Sequence, residues 1–222
     1  MKRIKRWTIA LFVLTMGLAL TACSGQNAGE EALQNESMAP SDTLRQPQAS
    51  QGKESSEESG RILVAYFSAT GNTEAVAQII ADQLEADLLE IVPAQPYTEA
   101  DLNYTDDACR ANREQNDPDA RPEIATTLDS IENYDVVLLG FPIWWGQEPR
   151  ILDTFVESYD LSNKTVAAFC TSGSSGIGTA ESNLQKLCGM QVNWAGSHRF
   201  AQGADESAVT AWLSTFDFAK DK

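Results

Sequence analysis

The feature that most constrains the fold is an alternation, starting at residue 61, of short apolar runs with stretches of helical periodicity. The first helical stretch places Val76, Ile80 and Leu84 on one face. Parallel pairing with right-handed crossovers is typical of strands that alternate with helices. The sequence therefore predicts an α/β fold, a three-layer doubly wound sheet of five parallel strands. Its strands are expected at residues 62–67, 87–92, 135–140, 165–170 and, more weakly, 191–195.

One long connection interrupts this rhythm between the second and third strands, over residues 93–133. It contains Tyr97, Tyr104 and a charged segment, and residues 121–124 are predicted to begin the crossover helix. Connections of this length are usually functional or disordered. A solvated insertion without a role is the alternative that the sequence leaves open.

The first 22 residues have the pattern of an export signal. Four basic residues within positions 2–6 precede a run of 14 uncharged residues, which is short for a permanent membrane helix. The run ends in Leu20-Thr21-Ala22-Cys23, which resembles the lipobox of bacterial lipoproteins. We expect cleavage before Cys23, lipidation of that cysteine, and an extracytoplasmic position on the cell membrane.

Residues 24–60 contain seven acidic and two basic residues, and no Trp, Phe, Tyr, Ile or Val. Such a segment cannot bury enough apolar surface to offset its ordering entropy. It is therefore predicted to be a disordered tether after Cys23, so that 23–60 links the signal peptide to a folded domain over 61–222. The net charge of the whole chain is −16, which argues against nucleic-acid binding and against an electrostatic membrane patch.

Ligands of open parallel sheets bind beyond the carboxyl ends of the strands, so the loops after strands one, three and four carry the functional prediction. The first loop is rich in hydroxyls and leads directly into a helix, whose N-terminal N–H groups favour a phosphate. It lacks the lysine of a nucleoside-triphosphate loop and suits one terminal monophosphate. Its residues are Ser68, Ala69, Thr70, Gly71, Asn72 and Thr73.

The loop after strand three carries paired tryptophans that predict stacking on a planar ligand, although one of them is expected to pack on the protein. Small residues after strand four allow close approach of the backbone to a ring edge. The candidate residues of these two loops are Pro142, Ile143, Trp144, Trp145, Gly146, Thr171, Ser172, Gly173 and Gly176. Together the three loops predict a site for a phosphate-bearing aromatic heterocycle.

These motifs resemble the flavodoxin family. Residues 68–73 are similar to its FMN phosphate loop, and residues 140–146 and 171–173 are similar to flavin-ring loops of bacterial flavodoxin-like reductases and lipoproteins. The resemblance covers residues 61 to about 217 and implies noncovalent FMN with strand order 2-1-3-4-5. The chain departs from short flavodoxins in lacking an aromatic residue between Thr171 and Gly178. The outer face of the flavin would then be open, or covered by Tyr97 or Tyr104.

Three functions stay open at this point. The first is an FMN redox lipoprotein that exchanges electrons with a partner protein or a small-molecule acceptor. The second is an NAD(P)H-dependent reductase of quinones or similar acceptors, and the third is a flavin-free binding lipoprotein. Flavin carries its own redox chemistry, so the single histidine of the chain, His198, is expected to be structural and to follow the fifth strand. Cys109, Cys170 and Cys188 are expected to be buried inert thiols, since they form no C-x-x-C pair.

Overall fold

The structure is a computed structural model and describes residues 60–219. The predicted signal peptide, Cys23 and the tether lie outside the described residues. Five parallel strands form one sheet in the order β2-β1-β3-β4-β5. The predicted fold class and strand order are therefore confirmed. The strands are β1 (Ile62–Tyr66), β2 (Asp87–Glu90), β3 (Val136–Pro142), β4 (Thr165–Thr171) and β5 (Asn193–Phe200).

Helices cover both faces of the sheet because its central strands bury both sets of side chains. In β1, Leu63 and Ala65 pack in one apolar cluster, and Ile62, Val64 and Tyr66 pack in the other, as the period of two requires. The helices are α1 (Asn72–Leu84), α2 (Arg110–Asn116), α3 (Arg150–Ser158), α4 (Gly178–Cys188) and α5 (Glu206–Leu213). The first cluster includes residues of α3 and α4, and the second includes residues of α1 and α5.

The prediction that a crossover helix begins at residues 121–124 is wrong. This segment is extended, and Ile124 forms an isolated antiparallel bridge with Pro93. The backbone N–H of Ala94 donates to the carbonyl of Glu123, and that of Ala125 donates to Val92. Because Pro122 disfavours helical geometry at the preceding residue, the segment pairs with the chain after β2 instead.

The long connection does contain a helix, α2, which begins after Cys109. The thiol of Cys109 accepts the N–H of Asn112 at 3.3 Å, in the position that Ser or Asp more often takes. Cys109, Cys170 and Cys188 are free, the first two buried and the third half-buried. Burial raises the pKa of Cys170 to about 12 and that of Cys188 to about 11. Both thiols therefore stay protonated and unreactive at neutral pH.

Strand boundaries differ from the predictions mainly in the fifth strand, which runs over Asn193–Phe200 and not over 191–195. His198 therefore lies inside β5 and does not follow it. Its imidazole packs at 4.6 Å from the ring of Phe200 and 5.9 Å from that of Trp212. Burial lowers the pKa of His198, as does the charge of Arg199. Within residues 60–219 no helix is long and apolar enough to span a bilayer.

Candidate functional site

The loop after β1 is held by hydrogen bonds within its own six residues. Gly71 caps α1 with a positive φ of 81°, a conformation that glycine adopts without steric cost. Its N–H donates to the hydroxyl of Ser68 at 3.1 Å, and the amide of Asn72 donates to the hydroxyl of Thr70 at 3.0 Å. The first N–H groups of a helix lack partners within the helix. The loop therefore presents polar groups to an anion at the start of α1.

Thr73 connects this loop to the other side of the site. Its side chain is buried, and its hydroxyl lies 2.8 Å from that of Thr171 at the end of β4. Residues 98 positions apart in the chain thus share one hydrogen bond. The pair fixes the spacing between the ends of β1 and β4, on either side of β3.

The loop after β3 is a tight turn that separates the two tryptophans. The backbone groups of Trp144 and Gln147 exchange two hydrogen bonds of 2.9 Å. Trp145 and Gly146 between them have φ values of 45° and 82°, as the central residues of a type I′ turn require. A left-handed backbone conformation costs a tryptophan about 1–2 kcal/mol, so the turn holds Trp145 in a strained conformation.

The two tryptophans have different environments. Trp144 packs edge-on against Phe67 and Tyr97, with ring centroids 5.5 and 5.1 Å away. Trp145 is 43% exposed at the tip of the turn. Trp144 is therefore the tryptophan that packs on the protein. Tyr97 supports it from behind, with its hydroxyl donating to Glu114 at 2.5 Å and the Arg110 guanidinium 4.1 Å from its ring.

A buried polar cluster, which no sequence motif indicates, anchors the end of this turn. The carboxylate of Glu148 is fully buried and accepts from the amide of Asn183 in α4 at 3.1 Å. The amide of Gln115 in α2 donates to the carbonyls of Glu148 and Trp144 at 3.0 and 3.2 Å. Helices α2 and α4 therefore both bind the turn.

Arg150 supplies the positive charge of this cluster. Its guanidinium lies 3.1 Å from Asp153 and 3.9 Å from Glu148, and it donates to the carbonyl of Gln115 at 3.2 Å. Burial raises the pKa of Glu148 to about 7, and the charge of Asp153 adds to the rise, while the bonds to the carboxylate and Arg150 oppose it. Burial also raises the pKa of Asp153, against the effect of Arg150. Arg150 thus faces two carboxylates, of which Glu148 is partly protonated near neutral pH, and Arg121 lies 3.8 Å from the other, Asp153.

The loop after β4 is clamped by Arg199 of β5. The guanidinium donates to the Ser172 hydroxyl at 2.9 Å and to the carbonyls of Ser172 and Gly173 at 2.9 and 2.8 Å. The Ser172 hydroxyl in turn donates to the carbonyl of Ser175. Arg199 was missed because the predicted fifth strand ended at residue 195. The observed register pairs it with Cys170, just before the loop.

The three loops meet around a cavity of about 640 Å³, here called the loop groove. Seven of the predicted residues do not line the groove: Ser68, Ala69, Gly71, Thr73, Trp145, Gly146 and Gly176. Tyr104, one of the two tyrosines expected at the outer face of the ligand, lines the groove, whereas Tyr97 does not. Gln202 also lines the groove and was not predicted. The groove is lined by Thr70, Asn72, Tyr104, Pro142, Ile143, Trp144, Thr171, Ser172, Gly173, Ser174, Ser175 and Gln202.

A second cavity of about 420 Å³, here called the apolar cavity, adjoins the loop groove. Ala69 and Trp145 line it from the loops, and Leu102 and Ala111 line it from the long connection. Five further lining residues are shared with the loop groove: Thr70, Tyr104, Pro142, Ile143 and Trp144. The connection over residues 93–133 therefore forms one wall of the site. Within residues 60–219 no cluster of side chains is suited to hold a metal ion.

Comparisons with known proteins agree with this geometry. The family model described as flavodoxin matches residues 61–216. A flavoprotein from Bacteroides eggerthii DSM 20697 is 44% identical, with a TM-score of 0.66, over 70% of this chain and 96% of its own. A flavoprotein from Bacteroides uniformis ATCC 8492 is 43% identical, with a TM-score of 0.67, over 70% of this chain and 98% of its own. A flavoprotein in complex with FMN from Lactobacillus acidophilus NCFM is 27% identical, with a TM-score of 0.52, over 69% of this chain and 98% of its own.

Proposed function

This chain belongs to the flavodoxin family, and we propose that it binds FMN without a covalent bond and transfers electrons through that cofactor. The observation that carries the proposal is the loop groove, in which three loops from three parallel strands meet at one edge of the sheet. Doubly wound sheets bind their ligands at this edge, where the strand order reverses. The FMN complex of the Lactobacillus flavoprotein supports the same choice of ligand.

The phosphate end of FMN would lie at the loop after β1. Thr70 and Asn72 line the groove there, next to the N-terminus of α1, where backbone N–H groups and the helix dipole stabilise an anion. None of the residues 68–73 is charged, so neutral donors would bind the phosphate. This arrangement suits one terminal phosphate group.

The ring end would lie between the turn after β3 and the clamped loop after β4. Pro142, Ile143 and Trp144 offer an apolar surface, and the backbone of residues 171–175 offers hydrogen-bonding groups to a ring edge. Tyr104, which is 78% exposed, lines the outer side of the groove. Bound FMN would supply the redox chemistry, and the chain would bind, orient and tune it.

Charge would set the direction of this tuning. Residues 61–222 contain 25 acidic and 10 basic residues. A negative surround disfavours additional negative charge on a reduced cofactor and lowers its potential. The same field attracts basic partner proteins, so we infer that the redox partner presents a basic surface.

We also propose that the domain works outside the cell membrane, anchored through lipidated Cys23. The proposal rests on the basic and apolar N-terminal pattern, on the lipobox-like end at Cys23, and on the acidic composition of residues 24–60. Labelling of growing cells with a fatty-acid probe tests it, since a Cys23→Ala variant should lose the label and the membrane association.

The cofactor proposal is tested by titrating the purified protein with FMN and with riboflavin, which lacks the phosphate. We expect FMN to bind at least about ten-fold more tightly. Thr70→Val should weaken the binding of FMN about 10- to 100-fold, which is the effect of one hydrogen bond to a charged group, and should leave the affinity for riboflavin unchanged. Thr127→Val is the matched control, because Thr127 is exposed and lines neither cavity. Equal binding of both ligands would contradict the assignment of the phosphate end.

A further inference from the structure

We propose that the apolar cavity is a second binding site, for an uncharged planar aromatic electron acceptor of the quinone class. The inference rests on the proposed FMN function, because the acceptor would take its electrons from flavin in the loop groove. It goes beyond that function in assigning a small-molecule partner and the residues that select it. Leu102 and Ala111 of the long connection and Trp145 of the turn after β3 bound the proposed site.

The lining determines the charge of the occupant. None of the described residues around the apolar cavity carries a charge. The polar groups of their side chains are the hydroxyls of Thr70 and Tyr104 and the indole N–H groups of Trp144 and Trp145. A charged ligand would lose its hydration here without gaining a partner, whereas an apolar ring gains by leaving water. The volume of about 420 Å³ lies in the range of small-molecule pockets and accommodates a molecule of two fused rings.

Exposed aromatic rings indicate the shape of the occupant. Tyr104 is 78% exposed and Trp145 is 43% exposed, and both line the apolar cavity. Flat side chains at a cavity mouth favour a flat ligand, because rings stack face to face or edge to face over a large area. The left-handed backbone of Trp145 supports a functional role for this ring, since strained residues persist where the site needs their geometry.

The position of the apolar cavity beside the loop groove makes electron transfer from flavin to a bound quinone possible. The two cavities share Tyr104, Ile143 and Trp144 among their lining residues, so ligands in both would be neighbours. A quinone in the apolar cavity would take two electrons and two protons from reduced flavin. Its two carbonyl oxygens become hydroxyls, and the flavin returns to the oxidised form. The flavin is reduced beforehand by a redox partner protein, or by dithionite in the test below.

The test uses the full-length protein, 1,4-naphthoquinone and its negatively charged 2-sulfonate. Quinone binding is measured by quenching of tryptophan fluorescence with and without FMN, and flavin reoxidation is measured anaerobically after reduction with dithionite. We expect saturable binding and reoxidation with 1,4-naphthoquinone, and at least ten-fold weaker binding of the sulfonate. Unsaturable reoxidation, or equal binding of both compounds, would overturn the proposal.

Leu102→Trp fills the apolar cavity and should weaken the binding of 1,4-naphthoquinone at least ten-fold, while the affinity for FMN should stay unchanged within two-fold. Leu102→Ala enlarges the cavity and should weaken the quinone about three- to five-fold. Leu88→Trp is the control, because Leu88 is exposed and lines neither cavity. If Leu102→Trp weakens FMN, the apolar cavity belongs to the flavin site and the proposal is wrong. If the unaltered protein binds the quinone but not FMN, the proposed function fails and the second site stands.

Discussion

The loops after β1 and β3 lie side by side in the site but are stabilised in opposite ways. The first is held by hydrogen bonds two or three residues apart, and by one bond from Thr73 to Thr171. The second adds to its local backbone bonds the side chains of Gln115 in α2 and Asn183 in α4, which lie 29 to 35 positions away in the chain. Local bonds appear in the sequence as a motif, whereas distant partners appear as ordinary residues. The comparison also separates their expected responses to mutation.

Arg150→Met should have the largest effect, because it removes the cation that faces two buried carboxylates. We expect a loss of about 3–5 kcal/mol in the free energy of unfolding, measured in urea. Arg61→Met is the control, since Arg61 pairs with Asp87 at an exposed position outside the polar cluster, and its loss should cost about 1 kcal/mol or less. Similar losses in the two variants would mean that the polar cluster does not anchor the turn after β3.

Glu148→Gln should change how stability depends on pH. The pKa of Glu148 is raised from 4.5 to about 7, so the folded protein binds a proton that the unfolded chain releases between these values. This contribution is complete below about pH 4.5 and is lost as the pH rises to 7, with a slope of at most about 1.4 kcal/mol per unit.

The measurement is the difference in unfolding free energy between the native protein and Glu148→Gln from pH 4.5 to 8. The native protein should lose about 1–3 kcal/mol relative to the variant up to pH 7, and the difference should then be constant. His198, whose pKa is lowered, acts in the opposite direction below pH 6.5 but is present in both proteins. A difference that does not vary with pH would show that Glu148 is ionised throughout.

Thr73→Val should have the smallest effect, about 1–2 kcal/mol, because it leaves the buried hydroxyl of Thr171 without its partner. The double variant Thr73→Val with Thr171→Val should recover part of this loss, since both hydroxyls are then absent. Urea unfolding of the two single variants and the double variant measures the coupling. Strictly additive losses would show that the two hydroxyls do not stabilise each other.

The sequence predicted what periodicity and local motifs encode. The strands, the sheet and the loop after β1 follow from patterns within a few residues, and the flavodoxin resemblance supplied the strand order. The helix at residues 121–124 was predicted wrongly because pairing of Ile124 with Pro93 is a contact between distant segments. Arg199 was missed because the alternation that marks β5 is weak, with most of its residues only half-buried.

The missed residues of the two cavities share one cause. Leu102 and Gln202 follow no motif, and only the folded chain brings them to the site. Tyr104 was one of two candidates, and only the structure selects it over Tyr97. Which of Trp144 and Trp145 packs on the protein and which is exposed likewise depends on the φ values of one turn, and the sequence pattern does not specify those values. Recognition of the second cavity therefore required the structure, although the long connection that forms its wall was visible as an interruption of the rhythm.

The clamp made by Arg199 has a consequence for the order of events during synthesis. The loop after β1 precedes Arg199 by more than 120 residues. At 5–20 residues per second, the two ends of the site leave the ribosome roughly 6 to 25 seconds apart. A nascent chain therefore carries its phosphate loop long before it can fix the loop after β4. The proposed binding of FMN would therefore have to wait for β5, and a chain that ends before β5 cannot complete its site.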